Sequence, residues 1–176
     1  MLIQPYQESW VDDFNQIKTT IEALFLDLDI NIHHVGSTSV RHLAAKSIID
    51  IDISFGKNVE FETIKSGLET LDYYHNGDQG IKDREAFKRK KTNKKHLILD
   101  VIPHHLYVCP LHSQELKRHL AFRNYLTENE KERKQYEIIK YKIAKIANQD
   151  KKTYAQLKET QAKAFIEAVL VKVLRK

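Results

Sequence analysis

Cysteine is all but missing from this 176-residue chain: Cys109 stands alone, which excludes an internal disulfide framework. A reducing, cytoplasmic setting is therefore the expectation. Apolar neighbours mark Cys109 as a buried structural thiol rather than a nucleophile. Glycine (five) and proline (three) are scarce, leaving little material for long linkers. No apolar run is long enough to span a bilayer, so no membrane role is expected. The opening residues, MLIQPYQESW, lack the basic and then apolar regions of a signal peptide. Ser37 has no Gly-x-Ser-x-Gly setting, which argues against a serine hydrolase. His104, His105 and His112 lack zinc-site spacing.

What is present suits a folded domain. Hydrophobic residues make up 41% and charged residues 30%, enough for one core of ordinary size with room for a small helical subdomain. The net charge of +5 is unevenly placed. Residues 1–113 hold 13 Lys/Arg against 16 Asp/Glu, whereas residues 114–176 hold 16 against 8. A basic half attracts nucleic acid or small anions through its field; it is equally the solvated face of helices.

Periodicity sorts the chain into elements. Trp10, Phe14, Ile17, Ile21, Leu24 and Phe25 recur at helical steps and predict an amphipathic helix packed on a sheet. Ile30 to Val35 alternates as a strand and stops at Gly36. Ser37, Thr38 and Ser39 are capping residues for a short helix over Val40 to Ala45. Ser47 to Phe55 follows with strict period two, placing Ile49, Ile51 and Ile53 on one face and Asp50, Asp52 and Ser54 on the other. Phe61, Ile64, Leu68 and Leu71 predict a second helix. Lys82 to Lys95, with eight Lys/Arg and two acids, reads as an exposed loop or hairpin tip. Strand character returns from His96 to Cys109, interrupted at Pro103. Three helices are predicted thereafter, Ser113 to Leu126, Asn129 to Ala147 and Asp150 to Leu174, each opened by a capping residue.

The stretch HVGSTSVRHLAAKSIIDIDI, His34 to Ile53, carries the chemistry. Aspartates two apart on a strand share a face with Cα atoms roughly 6–7 Å apart. Two carboxylates that close repel each other unless a cation lies between them. Mg²⁺ suits the supply, because it takes one or two carboxylates and completes its shell with water and phosphate oxygens. The Gly36-Ser37-Thr38 turn offers backbone N–H groups and hydroxyls to a phosphate. Lys46, just beyond, neutralises a phosphate or simply faces solvent. The alternative for the same residues is an exposed turn and a strand whose aspartates form structural ion pairs.

These residues resemble the signature block of the GrpB family: His-Val-Gly-Ser-Thr, Leu-Ala-Ala-Lys, then Ile-Ile-Asp-Ile. Further similarities run along the chain at Tyr6, Trp10, Arg84 and Phe87, in HHLYVC at His104 to Cys109, and in LAFRNYL at Leu120 to Leu126. The spacing of Tyr136, Lys140, Tyr154 and Lys158 is similar too. Arg41-His42 and Ser47 depart from the family, which usually has Pro-Gly and Pro there. The resemblance implies the polymerase-beta-like nucleotidyltransferase superfamily, whose motif is Gly-Ser, Asp-x-Asp and a third acid on a later strand. Carried over, Gly36 and Ser37 hold the triphosphate and Asp50 and Asp52 the metal. Asp100 is the candidate third acid, with a nearby histidine as the alternative, and Arg84 faces the cleft as an anion contact or sits in a loop ion pair. Arg123 is expected to pair with an acid, and His34 to be a satisfied strand histidine.

The expected fold is α/β (α+β): a small mixed sheet of nucleotidyltransferase type packed on helices (1–112), followed by a helical C-terminal portion (113–176). The expected function is Mg²⁺-dependent transfer of NMP from an NTP to an unknown acceptor. The alternative is a non-catalytic nucleotide- or RNA-binding protein using the same cleft and the basic loop 88–95.

Overall fold

The computed structural model describes residues 1–93 and 95–174; Lys94, which belongs to the basic stretch 88–95, Arg175 and Lys176 lie outside the described residues. Five strands form one mixed sheet in the order β1-β2-β5-β4-β3: β1 Ile30–Val35, β2 Ile49–Phe55, β3 Tyr73–His75, β4 Glu85–Arg89 and β5 His104–Pro110. Only β2 and β5 run parallel; the other neighbours are antiparallel. The helices are α1 Ser9–Glu22, α2 Phe61–Thr70, α3 Gln114–Glu128, α4 Glu130–Ile146, α5 Lys151–Gln161 and α6 Lys163–Leu174.

The period-two pattern of β2 decides the layering. Ile49, Ile51 and Ile53 face a core built with Trp10, Ile17 and Ile21 of α1, Ile64 and Leu68 of α2, and Leu106 and Val108 of β5. Each of these side chains, fully buried, contributes roughly 1.5–3 kcal/mol. Asp50, Asp52 and Ser54 project from the opposite face, in register with His105, Tyr107 and Cys109 of β5. The helical half covers that second face. Its own apolar cluster joins Tyr136, Ile143 and Tyr154 to Ile3, Val40 and Leu43. Cys109 is buried there, and burial pushes its thiol up to about 12. Among the described residues no helix is long and apolar enough to cross a membrane.

Several local expectations change. Ser37–Ser39 is itself a short 3-10 turn, and no helix covers Val40 to Ala45; instead Gln4 and Ala45 exchange backbone hydrogen bonds in an isolated bridge. The bridge takes backbone groups that a helix would need. The basic stretch is not all loop, because Glu85–Arg89 is an inner strand between β5 and β3. Residues 97–101 form turns rather than a strand, and β5 begins only after Pro103, which removes a ladder donor. The last helix is two, α5 ending at Gln161 and α6 starting at Lys163, divided at the buried Ala162. Ser113 and Asp150 do cap, accepting from the N–H groups of Leu116 and Thr153.

Candidate functional site

β1 ends at Val35 and the chain reverses at Gly36, with φ 70° and ψ −167°. That region is essentially restricted to glycine. A Cβ here would lie 2.2 Å from Asp50 Oδ2, so the absent side chain is what lets the strand carboxylate rest against the turn. Ser39 Oγ donates to the Gly36 carbonyl at 2.6 Å and tightens the turn. The expected phosphate turn and Asp50 are therefore in contact, although they arise from different elements.

Both aspartates project from one face of β2, in different settings. Asp50 opens to a cleft of about 770 Å³ between the sheet and the helical half. Its Oδ1 accepts from His105 Nδ1 at 2.9 Å. Burial opposes ionisation of Asp50, but that hydrogen bond and the charges of His105 and Lys158 hold its carboxyl below the usual range. Asp52 is fully buried. His119 of α3 caps it, with Nδ1 2.7 Å from Oδ2, and His119 Nε2 lies 3.2 Å from Glu115 Oε1. Burial works against the imidazolium, yet the bonds to Asp52 and Glu115 raise His119 to about 9, so it is charged at neutral pH. Asp52 Oδ1 is buried without a hydrogen-bond partner.

An orphaned carboxylate oxygen beside a second carboxylate fits a cation. Among the described residues no three His, Cys, Asp or Glu side chains form a metal cage on their own. Asp50, which lines the cleft, and Asp52, buried beside it, are the carboxylates that could hold an ion drawing the rest of its shell from water and phosphate, as Mg²⁺ does.

Cationic groups line the same cleft. Lys46, Lys140 of α4 and Lys158 of α5 converge beside Asp50. Lys140 is only 2% exposed, its Nζ donates to the Ala44 carbonyl, and burial followed by Lys158 holds it far below the lysine range. Burial, then Lys158, also lowers Lys46, which sits 4.9 Å over the Tyr154 ring. Lys158 moves the other way, raised first by Tyr136 and then by Asp50. Lysines this close repel one another, and a polyanion relieves that repulsion.

The remaining expected residues separate. Ser37 and Thr38 line the cleft, but Thr38 is buried and its hydroxyl donates to the Ile48 carbonyl at 3.3 Å. Arg84 lines the cleft and stacks on Tyr107 at 4.5 Å. Asp100 is not with the other acids. Arg89 Nη2 and Nε grip it at 2.8 and 2.9 Å, and the His96 N–H donates to it at 2.8 Å. It borders a second hollow of about 500 Å³ between β4, β5 and the 97–103 segment. The register opposite Asp50 belongs to His105, so a histidine stands where a third acid was expected. Arg123 makes no direct ion pair among the described residues, though Asp52 acts on its charge; its Nη1 donates to the His34 carbonyl at 2.9 Å. His34 stacks on Phe14 at 4.6 Å, bonds Thr38 Oγ1 at 3.0 Å, and burial holds it near a pKa of about 4.

With this geometry in view, comparison with known proteins places the chain. Residues 1–171 match the GrpB protein family. The chain belongs to the GrpB family. It is 31% identical over 139 residues to the UPF0157 protein YqkA of Bacillus subtilis, covering 79% of this chain but 38% of YqkA. It is 27% identical to the glutamate-rich protein GrpB of Alkalihalophilus pseudofirmus, over 97% of this chain and 94% of that one. The crystal structure of GrpB from Enterococcus faecalis superposes with a TM-score of 0.76 at 29% identity, across 97% of this chain and 98% of that one. The Cid1 poly(U) polymerase bound to MgATP superposes with a TM-score of 0.56 at 11% identity, over 81% of this chain and 44% of Cid1. The GrpB fold is thus a nucleotidyltransferase-like fold.

The sequence pattern of this GrpB-family chain left Glu115, His119, Lys140 and Lys158 unassigned to the site, and His105 entered only as one of the histidines near the expected third acid. Two of them carried a readable signal: Tyr136-Lys140 and Tyr154-Lys158 each put a lysine four residues beyond a core tyrosine, on a face that ought to be apolar. His105 shares its strand parity with Tyr107. His119 gave no sign, because its partner Asp52 lies 67 residues away in sequence.

Proposed function

We propose that this GrpB-family chain is a Mg²⁺-dependent nucleotidyltransferase that moves NMP from an NTP to an acceptor. The carrying observation is the contact of Asp50 Oδ2 with the Gly36 turn, which brings a phosphate cradle against a metal-competent carboxylate. Asp50 and Asp52 would hold the ion, which supplies charge neutralisation between phosphate oxygens. Backbone N–H groups at Gly36, Ser37 and Thr38, with Lys46 and Lys158, bind and orient the triphosphate. In the transfer the acceptor hydroxyl releases its proton to solvent as its oxygen bonds to the α-phosphorus, the bond from that phosphorus to the α–β bridging oxygen breaks, and pyrophosphate leaves. Such chemistry depends mainly on positioning and charge.

A second reading draws on His105 standing where a third acid was expected: the same cleft serves a nucleotide- or RNA-binding protein without turnover. Calorimetry with ATP, CTP, GTP and UTP, with and without Mg²⁺, separates the two, run beside an RNA titration at two salt concentrations. The enzyme reading expects Mg²⁺-dependent NTP binding that Asp50→Asn abolishes, with pyrophosphate release. Salt-sensitive RNA binding indifferent to that substitution would favour the binder, since phosphate contacts weaken steeply with salt.

A further inference from the structure

Arg84 is a buried cation that makes no direct ion pair among the described residues, although, after the hydrogen bond from His119, its charge helps to hold the Glu115 carboxyl down. It is 9% exposed, its Nε is buried with no hydrogen-bond partner, and its guanidinium carbon sits over the Tyr107 ring, 4.5 Å from the centroid. The acids around it are engaged elsewhere: Glu115 with His119 and Arg118, Asp52 with His119, Asp50 with His105, and Glu85 with His75. Asp83 reaches only His112, at 4.0 Å. Among the described residues no ion pair is made by Arg84. Burying an unpaired charge is expensive, and a protein retains one where a ligand supplies the opposite charge.

Its place in the sheet says which ligand. Arg84 immediately precedes β4, and in the order β1-β2-β5-β4 it approaches the aspartates from the β5 side. The Gly36 turn follows β1 and reaches Asp50 from the opposite side of β2. Lys140, tied to the Ala44 carbonyl, belongs to that turn's side. Two anion-holding features therefore flank Asp50. A triphosphate seated on the turn and its lysines leaves Arg84 to the other reactant.

We infer that Arg84 is the anion subsite for the acceptor, and that the acceptor is a small molecule bearing an oxyanion, a phosphate or a carboxylate. The inference rests on the nucleotidyltransferase reading. Smallness follows from volume: the cleft, lined by the Arg118–Glu167 pair that joins α3 to α6, measures about 770 Å³, which is within the range of small-molecule sites. A guanidinium backed by an aromatic ring keeps its terminal N–H groups as a planar fork, which matches two oxygens of one anion. A cationic or neutral acceptor would leave the charge uncompensated.

The test is calorimetry on the full chain, first saturated with Mg²⁺ and a non-hydrolysable analogue of the NTP it binds. Glycerol 3-phosphate and lactate are titrated separately, as probes of phosphate and carboxylate. One probe binds at one equivalent, and which one does so identifies the oxyanion. Arg84→Gln weakens that probe at least tenfold and leaves nucleotide affinity within twofold; Lys46→Gln does the reverse. Arg84→Lys keeps the charge but not the fork and also weakens the probe, so it decides the matter if circular dichroism shows Arg84→Gln misfolded. Loss of nucleotide with Arg84→Gln would make Arg84 a triphosphate ligand and overturn the inference. So would binding of neither probe, or Arg84-dependent binding of a short RNA instead. If the wild type binds no nucleotide, the transferase reading fails; the same probes titrated into nucleotide-free protein still decide whether Arg84 takes an oxyanion.

Discussion

Asp50 and Asp100 both have carboxyls held below the usual aspartate range, and the causes differ. Around Asp50, burial is outweighed by His105 and the cleft lysine Lys158. Asp100 is held at about 2, first by Arg89 and then by the His96 N–H, in a clasp that staples the 97–101 turns to β4. Its folded pKa lies below the usual 3.8, so its contribution is present above that pH and is lost as pH falls towards 2. Asp100→Asn should cost about 0.5–1 kcal/mol at neutral pH, the range of a solvent-screened pair. The loss should shrink in acid, as read from urea midpoints at pH 7 and pH 2.5. Mg²⁺-dependent nucleotide binding should not change; a fall in that affinity would return Asp100 to the site.

At the scale of elements, the turn between β1 and β2 is specified by what Gly36 omits. Neither strand needs a glycine there. The need arises because β2 is antiparallel to β1, pairing Val35 with Asp50 and setting the carboxylate over the turn. Gly36→Ala meets a backbone conformation costing roughly 1–3 kcal/mol, besides a Cβ 2.2 Å from Asp50 Oδ2. The variant should show a lower melting temperature and at least tenfold weaker nucleotide binding; wild-type affinity with a lowered melting temperature would mean that the turn is structural only. Several elements could not be read from pattern. Inner strand β4 reads Glu-Ala-Phe-Lys-Arg within a basic stretch, and only Ala86 and Phe87 of its five residues are buried, too few for a strand pattern to show. The break at Ala162 carries no Gly or Pro, so a continuous helix was the natural expectation.

Across the whole molecule, the helical half is tied to the sheet by more than contact. His119 caps Asp52, Glu137 accepts from the Ala44 N–H, Lys140 donates to the Ala44 carbonyl, and Leu2 N–H donates to Gln149. The second apolar cluster likewise draws on both ends of the chain. Unfolding should therefore be a single transition, with calorimetric and van't Hoff enthalpies equal. A chain cut after His112 should fail to fold, since it would expose Val40 and Leu43 and leave Asp52 uncapped. Two resolved transitions, or a folded fragment, would contradict this coupling.

The sequence by itself determined the strand that ends before Gly36, the strand bearing the Asp50-Asp52 pair, the amphipathic helices, and the family resemblance. Those features are local: a period of two or 3.6, a turn residue, a spacing within about twenty positions. Only the tertiary structure decided that His105 lies opposite Asp50, that His119 closes over Asp52, and that lysines from two helices turn inward beside the turn. It also left Arg84 buried on Tyr107 with no ion pair among the described residues, while sending Asp100 to Arg89. Such pairings depend on strand register and helix docking between distant residues, and burial then makes an unpaired charge costly enough to be informative.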